Sequence, residues 1–266
     1  MSIDRLISRN PVMRSLRSLE RVDTENKIKY DDVVNSTIKL VLRGLAVGGL
    51  FGWGAYTLLE SARISGPTYV HVLLYALILF TMVIAALLSY WSVHAGSRYI
   101  EKSKFYAGMY TDSNALLFGF TSALLMVWID ALVVPVAILA TVGVFMIVLL
   151  FYKNGWVRAT KRFRKTAFVL LIASVLFGLF MFATYLAAPD WFIHSASWMN
   201  ISIPVAFIIL ASMFLVIEFD NVYEAVDEGL HTKYRWMLAL GLLVDIFWIY
   251  VSMLELVGRM FLSPWD

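Results

Sequence analysis

The sequence predicts an all-α polytopic membrane protein with seven transmembrane helices. Three observations lead there. The 266 residues are 61% hydrophobic and only 15% charged, with a mean hydropathy of +0.76, whereas a soluble domain carries about 25% charged residues. Apolar segments of spanning length, roughly 17–25 residues, recur along the whole chain. The lysines and arginines gather in clusters between those segments rather than spreading evenly.

Taken in order, the spans are expected at 38–59, 69–93, 114–129, 131–152, 167–188, 198–217 and 236–262. The third and fourth could be one element. A single helix over 114–152 would be about 58 Å long, nearly twice a hydrocarbon core of about 30 Å. Asp130 and Pro135 offer a turn in the middle, and the basic residues favour the division. With seven spans, eight lysines and arginines between Arg5 and Lys39 share one side with three at 98–104, six in "KNGWVRATKRFRK" and two before the last helix, 19 of the 22 in all. Fusing the two spans would send the six-charge cluster to the opposite side. The positive-inside rule then makes residues 1–37 a basic cytoplasmic segment and 38–262 the transmembrane domain, in a plasma or inner membrane. The C-terminal "SPWD" is expected outside.

Because the basic residues are topological, the net charge of +3 carries no indication of nucleic acid. The polar, basic N-terminus is not expected to hold a cleavable signal. In "NPVMRSLRSLERV", Val12, Leu16 and Leu19 share a helical face and Arg14, Arg17 and Arg21 lie elsewhere. Two readings stand, an interfacial helix on anionic lipid and a flexible basic tail. No cysteine is present, which excludes disulfides and thiolate chemistry, and the four histidines form no ligand-spaced pair. No Gly-rich phosphate loop, HExxH or GxSxG occurs, so neither an enzyme nor a bound cofactor is expected. Gly44, Gly48 and Gly52 form a small-residue ridge along which another helix can approach closely.

Acidic residues collect at one helix end, in "FLVIEFDNVYEAVDEG". On a helix Asp220, Glu224 and Asp227 share a face, and Glu218 points away from it. Glu224, Asp227 and Glu228 read most simply as the solvated end of the sixth span. Glu218 and Asp220 lie within a turn of the apolar run, where ionisation still meets a desolvation cost. In the last span Asp245 falls about 14 Å past Trp236, near the bilayer midplane, with no basic residue within four positions. Intramembrane acids of this kind mark ion pathways or proton relays. Ser252 and Arg259 follow on the face of Asp245, and Glu255 is spaced to pair with Arg259. Arg43, inside the first span, either snorkels to the interface or pairs with Asp220.

Four segments in order resemble the Bax inhibitor-1 family, in particular its bacterial YccA-like members: "SRNPVMRS" with "YDDVVNST", "ATVGVFMIVLLFYKNGWVRATKRF", "EFDNVYEAV", and "YRWMLALGLLVDIFWIYVSMLELV". The resemblance implies a seven-helix bundle with the last helix central. It also implies a pH-sensitive calcium leak governed by two acids, one each from the sixth and seventh helices. Asp220 matches the first. The family's second acid aligns with Ser252, but Asp245 suits the spacing and depth better and is the expected partner. The family's basic latch on the second helix has no counterpart, and Arg43 is the available substitute.

On this reading Asp220 and Asp245 form a coupled, proton-sensitive pair and a weak calcium site of hard oxygen ligands, calcium being the transported ion. Glu224 and Asp227 form a negative funnel that concentrates calcium or other cations. The alternative is a non-conducting interaction protein that modulates a membrane protease or another membrane complex through its basic tail. A proton-coupled transporter is a third class, without an inverted repeat or broken helices to support it.

Overall fold

The computed structural model describes residues 27–65, 68–187 and 197–262. The amphipathic stretch around Val12–Leu19, the "SRNPVMRS" segment and the C-terminal "SPWD" lie outside these residues. Among the described residues the chain forms seven long α-helices: α1 (Tyr30–Ser65), α2 (Thr68–Arg98), α3 (Ser103–Trp128), α4 (Val133–Lys153), α5 (Lys161–Ala187), α6 (Ser197–Asp227) and α7 (Arg235–Leu262). Single 3-10 turns, Ile100–Lys102 and Thr232–Tyr234, lead into α3 and α7.

The ends of these helices follow from local chemistry. Asp31 and Asp32 occupy the first turn of α1, where the helix dipole favours negative charge. Asp32 Oδ2 also accepts from the Lys29 amide at 3.3 Å, the reach-back half of a capping box. Asp130 breaks α3 from α4 as expected, its Oδ1 accepting from the Leu132 amide at 2.7 Å. Thr160 caps α5 by accepting from the Phe163 amide at 3.3 Å. Helices α4 and α6 both end on a glycine in the left-handed region, Gly155 (φ 72°) and Gly229 (φ 67°). In each, the next amide reaches back to a carbonyl of the last turn, Trp156 to Phe151 at 3.0 Å and Leu230 to Ala225 at 3.1 Å. That is the Schellman arrangement, which only a residue free of Cβ strain adopts cheaply.

Six of the helices are long and apolar enough to cross a membrane, and their outward surfaces suit lipid. Leu77, Leu79, Phe80 and Leu87 on α2, and Phe168, Leu176 and Phe180 on α5, are exposed side by side. Water would not tolerate apolar faces of that extent. Helix α7 is the most interior: 56% of its apolar window is buried, against 6–33% for the other five. The protein is therefore an all-α, multi-pass membrane protein embedded in the bilayer.

Helix α3 differs from expectation. It begins at Ser103, well before the anticipated 114, and its polar first half is buried rather than solvated. Thr111 Oγ1 donates to the Ala107 carbonyl at 2.8 Å, and Asn114 Nδ2 to Ser89 Oγ at 2.7 Å. Hydroxyls and amides satisfied in this way remove the penalty for burial, so a segment too polar to read as a span is still a core helix.

The chain packs as two units. One holds residues 137–220 and 245–262, the other 27–136 and 221–244. In the second, α3 lies against α1 and α2. Of the glycine ridge, Gly48 and Gly52 meet Ala115 and Gly119 at near-contact distance. A Cβ on Gly119 would stand 2.7 Å from the Gly48 carbonyl oxygen, and one on Gly52 3.0 Å from that of Gly119. Beyond this crossing Ala55, Leu59, Ile78, Ala123 and Val127 form a small apolar core.

The crossing yields a direct prediction. Gly119→Ala must separate two backbones and should cost about 1–3 kcal/mol, read as a lower Tm of the full chain in detergent. Gly49→Ala and Gly54→Ala, where a Cβ meets nothing within 4 Å, should leave the Tm unchanged or raise it. Equal effects at the three positions would refute the close packing.

Candidate ion and proton site

Within the first unit, α6 presents acids on two sides. Positions 218 and 220 are two residues apart and so point about 200° away from each other around the helix. Phe214 and Glu218, one turn apart, look toward α7. Phe214 stacks on Trp248 with ring centroids 5.7 Å apart, and Glu218 is the charged neighbour that Asp245 feels. Phe219 and Asp220 look instead toward α4 and α5. The Phe219 ring lies 5.4 Å from that of Tyr152 and 6.0 Å from that of Phe145.

Asp220 is held by two donors. Arg164 Nη2 donates to Oδ2 at 2.8 Å, and the Tyr152 hydroxyl to Oδ1 at 3.3 Å. The side chains of Arg164 and Asp220 are only 15% and 19% exposed. Arg158 lies over the Tyr152 ring, 4.8 Å from its centroid. The last turn of α4 and the first of α5 thus bring an aromatic donor and a cation to the carboxylate near the end of α6.

Asp245 has a different environment. It is 6% exposed, and its buried Oδ2 accepts no hydrogen bond from the described residues. The charge it meets is another carboxylate, Glu218, rather than a cation. Ser252, two turns further along the same side of α7, is also buried. Glu218 and Asp245 thus stand as neighbouring acids between α6 and α7.

This placement corrects the expected pairing. Asp220 is held on the α4 and α5 side of α6, whereas Glu218, expected to point away from Asp220, is the acid that neighbours Asp245. The physical reason is depth. Helices α6 and α7 run antiparallel around one short turn, and Glu218 lies about 14 Å before the end of α6 while Asp245 lies about 15 Å after the start of α7. Asp220 is only about 10 Å from that end, and on the other side of the helix. Among the described residues no three histidines, cysteines, aspartates or glutamates converge on a metal-sized site.

Arg43 does not pair with Asp220. It binds Asp112 of α3 in a two-pronged ion pair within the second unit, Nε to Oδ1 at 2.6 Å and Nη2 to Oδ2 at 2.5 Å, and its guanidinium rests against Gly108. Glu255 and Arg259 form the expected pair. Asp227 is exposed and Glu224 half-buried on the last turns of α6. Arg164, Tyr152 and Asp112 were not singled out from the sequence. Arg164 was hidden in a basic cluster that topology already explained. Its signal was position: Tyr152 and Arg164 flank one short loop at the same end of their helices.

The fold and these acids define a polytopic membrane protein with carboxylates set into its transmembrane helices. The chain belongs to the Bax inhibitor-1 family: the family profile described as Bax inhibitor 1 like matches residues 10–260. No curated protein matches the chain.

The Arg164–Asp220 pair can be tested by a double-mutant cycle. Arg164→Ala alone strands a largely buried carboxylate and should cost about 1–3 kcal/mol, measured by unfolding in detergent. Adding Asp220→Asn should restore part of that loss, because removing one partner of a buried pair costs more than removing both. Strictly additive effects would show that the two side chains do not interact.

Proposed function

We propose that this protein is a pH-sensitive cation leak, calcium being the favoured ion, in which Glu218 and Asp245 form the titrating pair. The observation that carries the reading is Asp245, buried in a transmembrane helix with a second acid as its charged neighbour. Such an arrangement adds nothing to stability that an apolar pair would not, and intramembrane acids are costly enough to imply use. When the pair holds a proton, one charge is removed and α6 and α7 can pack closely. When the proton leaves, the repulsion favours separation or a bridging cation, which is a two-state switch driven by local charge. Asp220 serves as the latched acid: with Arg164 and Tyr152 on its oxygens it is not available to a cation, and releasing them exposes it. Glu224 and Asp227, further along the same face of α6, raise the local cation concentration.

In this reading the protein sits in a plasma or inner membrane with its N-terminus in the cytoplasm, is not an enzyme and needs no resident cofactor. The second reading is a non-conducting partner of a membrane protease or other membrane complex, which the basic N-terminal segment would grip.

Calcium flux into liposomes containing the purified chain, followed across pH, tests the leak. Glu218→Gln and Asp245→Asn should each flatten the pH dependence, and the double substitution should add little, since coupled acids act as one unit. Ser252→Ala should change little. Asp220→Asn should alter the size of the flux but keep its pH dependence. If Asp220→Asn flattens the profile and Glu218→Gln does not, the pairing is wrong; if no variant changes flux, the leak itself is wrong and the partner reading gains.

Topology has its own test. The chain lacks cysteine, so a single one at position 158 can be probed with an impermeant thiol reagent. It should react only after the membrane is opened; labelling in intact cells would invert the orientation.

A further inference from the structure

We propose that the N-terminal turns of α3 and α7 together form a binding site for the headgroup of an anionic glycerophospholipid. Four cations, Lys102, Lys104, Lys233 and Arg235, come from two segments far apart in sequence. The fold joins them. The 3-10 turns that precede α3 and α7 pack against each other, and Ser103 Oγ donates to the Lys233 carbonyl at 3.2 Å. Trp236 then gathers the charges: Lys104 Nζ lies 5.6 Å and Arg235 Cζ 5.5 Å from its ring centroid. Lys233 Nζ lies 5.4 Å from the ring of Tyr234.

Among the described residues no ion pair joins any of the four to an acid, neighbouring Glu101 included. Positive charge held in place by ring contacts, and not neutralised, is what a phosphodiester requires. The positive-inside tendency explains why basic residues occur on this side. It does not explain why cations from two loops should be pinned around one tryptophan.

The ligand is a lipid rather than free phosphate because of what lies beside the cations. Tyr99 and Phe105 are 59% and 64% exposed, and both rest on Tyr106, with centroids 6.3 Å and 5.5 Å away. Aromatic rings of this kind belong to the membrane interface. They offer an apolar wall to the glycerol and upper acyl chain of a lipid whose phosphate meets the cations. An inorganic ion would have no use for that wall.

Native mass spectrometry of the full chain in neutral detergent, titrated with palmitoyl-oleoyl phosphatidylglycerol, phosphatidylcholine or inorganic phosphate, tests the site. Phosphatidylglycerol should bind in preference to phosphatidylcholine. Lys104→Gln with Arg235→Gln should weaken phosphatidylglycerol binding about tenfold or more, two interfacial cations being removed. Lys161→Gln with Lys165→Gln, which removes the same charge from the exposed start of α5, should change it by less than about twofold. Lys104→Arg with Arg235→Lys keeps charge and ring contact and should keep binding. The proposal is overturned if the control pair loses as much, if the charge-preserving pair loses binding, if phosphatidylcholine binds equally, or if millimolar inorganic phosphate displaces the lipid.

Discussion

The antiparallel register of α6 and α7 is the constraint on which the acidic site depends. A glycine in the left-handed region ends α6, one short segment turns the chain, and α7 starts at Arg235. Residues equally far from that turn then lie at equal depth, since each helix rises about 1.5 Å per residue. Phe214 meets Trp248 and Glu218 faces Asp245 by the same rule. Once that register is set, Asp220 has no freedom. It lies nearer the helix end and on the far side of α6, where only α4 and α5 can supply its partners.

Three carboxylates taken into the helices are compensated by cations. Asp112 is neutralised by a two-pronged contact with Arg43, Asp220 by Arg164 and a phenol, and Glu255 by Arg259 one turn away. These pairs offset the loss of water around each charge. Asp245 meets a like group instead. Like charges held close in a low-dielectric setting are costly, and the proposed switch rests on that pair rather than on the ion pairs.

Helix α3 shows how a polar segment becomes interior without breaking the rules of a lipid solvent. Backbone and side-chain polar groups must find partners within the protein when water is absent. Threonine and asparagine on α3 do so against their own helix and against Ser89, and the glycines at the α1 crossing let the backbones come close enough to exclude everything else. Composition measures how polar a segment is; it does not register whether the polarity is satisfied.

What the sequence determined by itself was everything set by the solvent and by local chemistry. Apolar runs of spanning length, the break at Asp130 and the membrane class followed from transfer free energies and hydrogen-bonding needs that do not depend on neighbours. So did the presence of costly acids near 218–220 and at 245, and the Glu255–Arg259 pair, whose spacing lies within one helix. Only the tertiary structure decided who meets whom. The partner of Arg43, the Arg164–Tyr152 hold on Asp220, the buried start of α3 and the choice of Glu218 over Asp220 all depend on contacts between different helices. A helical wheel places a residue on a face, but the rotation and depth of the facing helix are set by packing along the whole interface, and no short stretch of sequence encodes that.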